Sequence, residues 1–149
     1  MNTLLAEKQI KELIDKHLGD KGWYFRWDTA VRRFGACHHN FKMITLSKAL
    51  VELNDWEQVK DTTLHEIAHA LAGKGAGHNY LWKYWCREIG ARPERCYPYT
   101  VVQPKAKWQA TCTNCGRVVN RCRKPNGIAC GACWRKEHKL YKLNFKKTK

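Results

Sequence analysis

The sequence predicts an α+β fold: an N-terminal helix, a short three-stranded sheet and a helix bearing HEIAH at 65–69, followed by a four-cysteine zinc ribbon. Three observations carry that expectation. Apolar residues recur at helical spacing in three separate stretches. Short runs that alternate aromatic and polar residues, bounded by turn formers, fall between the first of these stretches and the second. Two CxxC pairs stand in the C-terminal third, where metal can substitute for a hydrophobic core.

The elements follow in chain order. Leu4, Leu5, Ile10, Leu13, Ile14 and Leu18 lie near helical spacing with charges between them, and GDKG at 19–22 ends the pattern, so 3–18 is an amphipathic packing helix. Trp23, Phe25 and Trp27 alternate against a more polar face, and VRRFGACHH (31–39) and KMITLS (42–47) follow across turn residues. These three are expected as strands of a meander. Asn54 or Asp55 caps a helix that passes through HEIAH and runs to Ala72, where GKGAG breaks it. A further helix near 79–89 carries Leu81, Trp82, Trp85 and Ile89 and stops at Gly90. After Pro93 the chain reads as an irregular linker up to Pro104, which sets the domains at 1–103 and 104–149.

Charge divides the chain at the same place. The 149 residues carry a formal net charge of +15, yet residues 1–103 hold 15 Lys and Arg against 12 Asp and Glu. Residues 104–149 hold 13 against one, and a basic segment of this density points to a polyanion such as nucleic acid. No run approaches the roughly 18 apolar residues of a membrane span, and the N-terminus has acidic residues where a signal peptide would have its apolar core. A soluble, unexported protein with no membrane partner is expected.

In HEIAH, His65 and His69 are four residues apart and so present their imidazoles on one helix face, with Glu66 beside the first. In HExxH sites the two histidines ligate zinc, the metal lowers the pKa of water to about 7, and the glutamate acts as general base. Catalytic zinc usually takes three protein ligands and leaves one position open. His78, just past the glycine-rich break, and Glu88, nineteen residues after His69, both qualify as the third. A continuation with Gly three residues after His69 and His three further on is absent, because Ala72 and Gly75 stand there. Cys37 reads as a buried strand residue, His38 and His39 as turn residues, and Trp82 and Trp85 as core.

Cys112, Cys115, Cys130 and Cys133 form two knuckles separated by fourteen residues, the spacing of a closed structural zinc site in a zinc ribbon. Cys122 is spare, and Cys86 and Cys96 read as unpaired and structural. Around the knuckles stand Arg117, Arg121, Arg123, Lys124, Arg135, Lys136, Lys139, Lys142, Lys146, Lys147 and Lys149, interleaved with Trp108, Trp134, Tyr141 and Phe145. Cations neutralise phosphates and an exposed aromatic stacks on an unpaired base, so a non-specific, salt-sensitive DNA contact is expected, centred on Arg117, Arg121, Arg123, Lys124, Trp134, Arg135 and Lys136.

The runs FRWDTAVRRFGACHHNFKMITLSKAL, TTLHEIAHALAG and GHNYLWKYWCREIGA together resemble the SprT-like family of zinc metallopeptidase domains, which includes Spartan, the protease that degrades proteins crosslinked to DNA. The likeness spans about 5–135, and its most specific parts are the strand pair with LS ahead of HExxHAL and the later GH followed by Trp. The resemblance implies a small zincin-type domain with catalytic zinc on His65, His69 and His78 and Glu66 as catalytic base, and it sets Glu88 aside. Asn79 departs from the family's GHG. Several members carry a C-terminal zinc ribbon, so two zinc ions per chain are expected, one catalytic and one structural.

The function expected is a zinc metalloendopeptidase acting on DNA-associated or DNA-crosslinked proteins, a cytoplasmic monomer of a bacterium or phage. The second expectation is a DNA-binding zinc protein of transcription or stress response whose HExxH site is structural or inactive. Glu66 favours the enzyme, because a structural site needs no general base.

Overall fold

The computed structural model describes residues 1–98 and 100–148, so Lys149 lies outside the described residues. It divides into two compact units, Met1–Gln103 and Pro104–Lys149.

In the first unit, α1 (Thr3–Leu18) begins where the Asn2 side-chain oxygen accepts the backbone N–H of Leu4 at 2.9 Å. It buries Ala6, Ile10, Ile14 and Leu18, a stripe of four-residue steps, and leaves Leu4 and Leu5 exposed despite their apolar character. Three strands follow: β1 (Tyr24–Asp28), β2 (Gly35–His38) and β3 (Met43–Ser47). Their order is β1-β3-β2, with β1 parallel and β2 antiparallel to β3, so the expected meander is corrected. Burial explains the order. Ile44, Thr45, Leu46 and Ser47 are all buried, so β3 is covered on both faces and takes the centre, whereas β1 exposes Tyr24 and Arg26 at an edge.

A short helix that the sequence reading lacked, α2 (Lys48–Leu53), grows directly out of β3. Ser47 caps it, its hydroxyl accepting from the Leu50 N–H at 3.2 Å while donating to the Ala30 carbonyl. Asp55, not Asn54, caps α3 (Trp56–Ala72). Asn54 is buried and clasps Val102 in both directions, accepting its N–H at 2.7 Å and donating to its carbonyl at 2.9 Å. α4 (Tyr80–Ile89) ends at Gly90, whose φ of 82° is the left-handed stop that favours glycine.

The segment after Pro93 is not a free linker. Val101 is buried in the core, the Tyr97 hydroxyl donates to the Arg32 carbonyl at 2.7 Å, and the Asn54–Val102 clasp satisfies the backbone that a loop would otherwise leave to water. That segment belongs to the first unit and becomes a wall of its cleft.

The second unit holds β4 (Trp108–Thr111), β5 (Val118–Arg121), α5 (Gly131–Glu137) and β6 (Lys146–Lys147), with strand order β5-β4-β6, all antiparallel. Its buried cluster is Ala110, Cys112, Cys130, Cys133 and Leu143. Three of these five are cysteines, so apolar burial alone is too small to hold the unit. Among the described residues no helix is long and apolar enough to cross a membrane.

Candidate metal centres and their cleft

α3 sets His65 and His69 one turn apart, and the glycine-rich turn after it brings His78 back to meet them. Gly73, Gly75 and Gly77 all hold positive φ, 89°, 87° and 55°, which lets the chain reverse within a few residues. Asn79 then caps α4, its side-chain oxygen accepting from the N–H groups of Leu81 at 3.0 Å and Trp82 at 3.1 Å. The asparagine in GHN therefore has a local purpose: it fixes the helix start immediately behind His78.

The three imidazoles converge through one kind of atom. His78 Nε2 lies 3.2 Å from His69 Nε2 and 3.3 Å from His65 Nε2. Nitrogens at the usual zinc distance on two corners of a tetrahedron stand roughly 3.3 Å apart, so the cradle fits zinc as it stands. Burial, with neighbouring imidazoles adding to it, lowers His65 to about 4 and His69 to about 3, and burial lowers His78 too. Each is held in the neutral form that binds metal. Glu88 is exposed on α4 and is not part of this group.

Trp82 forms the floor. It is fully buried, stacks on His69 with centroids 5.3 Å apart, and meets His65 and His78 edge-on at 4.7 and 4.6 Å. Its indole N–H points to the His65 carbonyl at 3.4 Å. The sequence reading of Trp82 as core misses that its ring orients all three imidazoles.

Glu66 lies on the same helix and is only 7% exposed. Burial pushes its carboxyl up to about 8, against the pull of Arg33 and of the Cys37 backbone N–H. Beside it opens a cleft of about 520 Å³, lined by the three histidines and Glu66 and walled by Arg33, Phe34, Asp61, Arg92, Arg95 and Tyr97 among others. Asp61 stands four residues before His65 and accepts from both the Arg92 backbone N–H and its Nε, each at 3.0 Å. That pairing ties the wall to α3. The spacing of Asp61 to His65 was visible in the sequence, but its partner thirty-one residues away was not.

The remaining cysteines and histidines of this unit divide. Burial, with Glu66 nearby, pushes the Cys37 thiol up to about 12, so it offers no thiolate. Cys86 is buried and likewise pushed up to about 12. Cys96, expected as a structural residue, is instead exposed and lines the cleft. His38 faces Thr45 and His39 packs against Trp23, and neither joins the metal cradle.

In the second unit the sulfurs of Cys112 and Cys133 stand 3.7 Å apart, as do those of Cys115 and Cys130. Tetrahedral zinc with its usual sulfur distance sets neighbouring sulfurs roughly 3.8 Å apart, so the four fit one ion. The first knuckle is closed by Gly116 N–H to the Cys112 carbonyl at 2.9 Å, with Gly116 at φ 70°. The Cys133 backbone N–H helps lower the Cys130 thiol to about 6. Cys122 is half-buried and outside the cluster.

The basic residues are arrayed around this site. Arg117 lies in the turn between β4 and β5, Arg121 at the end of β5, Arg123 and Lys124 in the following loop, and Trp134, Arg135 and Lys136 on α5. Trp134 is 47% exposed, with His138 against its edge, whereas the Trp108 ring is covered by the Lys124 ammonium at 5.5 Å.

The sequence model of the SprT-like family matches residues 5–124, most of the chain. No curated protein and no solved structure matches it. The chain belongs to the SprT-like family, and that membership, with a three-histidine and a four-cysteine cluster, implies a zinc metallopeptidase.

Proposed function

We propose that this SprT-like chain is a zinc-dependent endopeptidase that cuts proteins held on DNA, crosslinked ones included. The observation that carries the reading is the meeting, in one cleft, of three imidazole nitrogens spaced for a tetrahedral metal and a buried carboxylate outside that ligand set. Three ligands leave a coordination position for chemistry, where a structural site would close it.

Zinc held by His65, His69 and His78 supplies Lewis acidity toward a peptide carbonyl and toward water. Glu66 takes the proton of the attacking water and delivers it to the departing amine nitrogen. Trp82 holds the imidazoles in place from below, and the Asp61–Arg92 pair fixes the wall along which a peptide would lie. The second unit supports the DNA part of the reading: 13 cationic residues against one acidic one, with Trp134 available for stacking on an unpaired base.

The test is cleavage of a protein crosslinked to a single-stranded oligonucleotide by zinc-loaded full-length chain, with Glu66→Gln at equal zinc content as control. Wild type is expected to cut and the variant not. Wild type that cuts the same protein equally well without DNA would remove the DNA context and keep the peptidase. Failure to cut either would overturn both.

A further inference from the structure

Seven of the ten glycines hold positive φ, which accounts for them through the backbone. Gly35 does not. A Cβ on Gly35 would stand 2.9 Å from Glu66 Cγ, 3.0 Å from Glu66 Oε1 and 3.1 Å from Thr62 Cγ2, while no other glycine would place one nearer than 4.0 Å to any such neighbour. The close approach is therefore between β2 and one face of α3, since Thr62 and Glu66 are a helical turn apart.

The strand cannot easily retreat. Gly35 pairs with Leu46 of the central strand, the Ser47 N–H donates to the Phe34 carbonyl at 2.7 Å, and Phe34 is buried. β2 thus supplies, at Gly35, the space that the Glu66 side chain occupies.

We propose that Gly35 is a positioning residue for Glu66: its missing side chain lets β2 close onto α3 and hold the carboxylate at one place beside the three histidines. The proposal rests on the metallopeptidase reading of this site. A zinc site with a purely structural purpose would have no use for it, because Glu66 is not a ligand.

The experiment uses full-length, zinc-loaded Gly35→Ala, for which backbone strain is not in question. Zinc content is expected to stay at the wild-type value, cleavage of the crosslinked probe to fall by about a hundredfold, the cost of a displacement near 1 Å, and the Glu66 carboxyl carbon resonance to move. That resonance is assigned by its loss in Glu66→Gln. Gly35→Ala/Thr62→Ala relieves the contact with the threonine and leaves the one with Glu66. If it too keeps its zinc but cleaves poorly, positioning of Glu66 is the cause. Wild-type cleavage in Gly35→Ala or in the double variant, or an unmoved Glu66 carboxyl resonance in Gly35→Ala, would overturn the proposal. Should the wild type itself not cleave, the peptidase reading falls, and the position of that resonance still decides whether Gly35 places Glu66.

Discussion

The two candidate metal sites of this chain are built on opposite plans. The cysteine site gathers four ligands from two tight knuckles in a unit whose buried cluster is mostly those cysteines. The histidine site gathers three ligands from a helix and a glycine turn, sets them against a buried tryptophan within an apolar core, and opens onto a cleft. Metal would stand in for a core in the first and would be placed by a core in the second. Substitutions at the two sites should therefore fail in different ways.

The largest effect is expected at the cysteines. Structural zinc contributes about 10–16 kcal/mol in small zinc modules, so Cys112→Ser with Cys115→Ser should unfold the second unit and leave the first intact. Hydrogen exchange, read separately over 1–103 and 104–149, checks this, and a second unit that stays protected would contradict it. Next comes Glu66→Gln, which should lower cleavage by about 10²–10⁴-fold with no change in zinc content or fold. Loss of zinc in that variant would blur the distinction between ligand and base.

Trp82→Ala should destabilise the first unit by about 3–5 kcal/mol, the range for emptying a buried aromatic site, and loosen zinc at the histidines while sparing the cysteine site. Denaturant unfolding and chelator competition measure the two parts.

A smaller effect comes from pH. In zinc-free protein His65 and His69 sit at about 4 and about 3, below the ordinary 6.5, so the unfolded chain binds more protons. Their contribution to stability is fully present above that ordinary value and is lost as pH falls through it toward 4 and 3. Glu66, raised to about 8, works in the opposite sense, costing stability as pH rises from 4.5 toward 8. Thermal melts of chelated Glu66→Gln at a series of pH values remove the opposing carboxyl. Comparison with Glu66→Gln carrying His65→Phe and His69→Phe separates the two imidazoles from the other groups lowered in the fold, His17, Asp28 and Glu7 among them. An acid loss unchanged by those substitutions would contradict the burial of the imidazoles.

The smallest effect is expected at the basic face. Arg123→Ala should reduce the slope of log affinity against log salt by about 0.7 for single-stranded DNA, the share of one phosphate contact. Titration at several salt concentrations reads that slope, and an unchanged slope would place Arg123 away from the phosphates.

The sequence made some of this legible and concealed the rest for physical reasons. Helices α1, α3 and α4 announced themselves through apolar spacing and through caps at Asp55 and Gly90, all of which are local signals. Strand order was concealed because it depends on which run is covered on both faces, and the burial of Thr45 and Ser47 cannot be read from their polar character. The segment after Pro93 looked like a linker because its ties are distant: Asn54 to Val102 and Arg32 to Tyr97. At the metal site, HEIAH was visible as a pattern, but spacing alone left His78 and Glu88 both open. The family resemblance pointed to His78, and the glycine turn that delivers it, together with a Glu88 turned to solvent, gives the physical reason.

The most direct test of the two-centre account is the zinc content of purified chain by elemental analysis, in wild type, His78→Ala, Glu88→Ala and the Cys112/Cys115 double substitution. The account predicts two zinc ions in wild type and in Glu88→Ala, with the histidine-site ion lost or loosened in His78→Ala and the other lost with the cysteines. A single zinc in wild type that disappears only with the cysteines would contradict it, leaving HEIAH as an ordinary helix face.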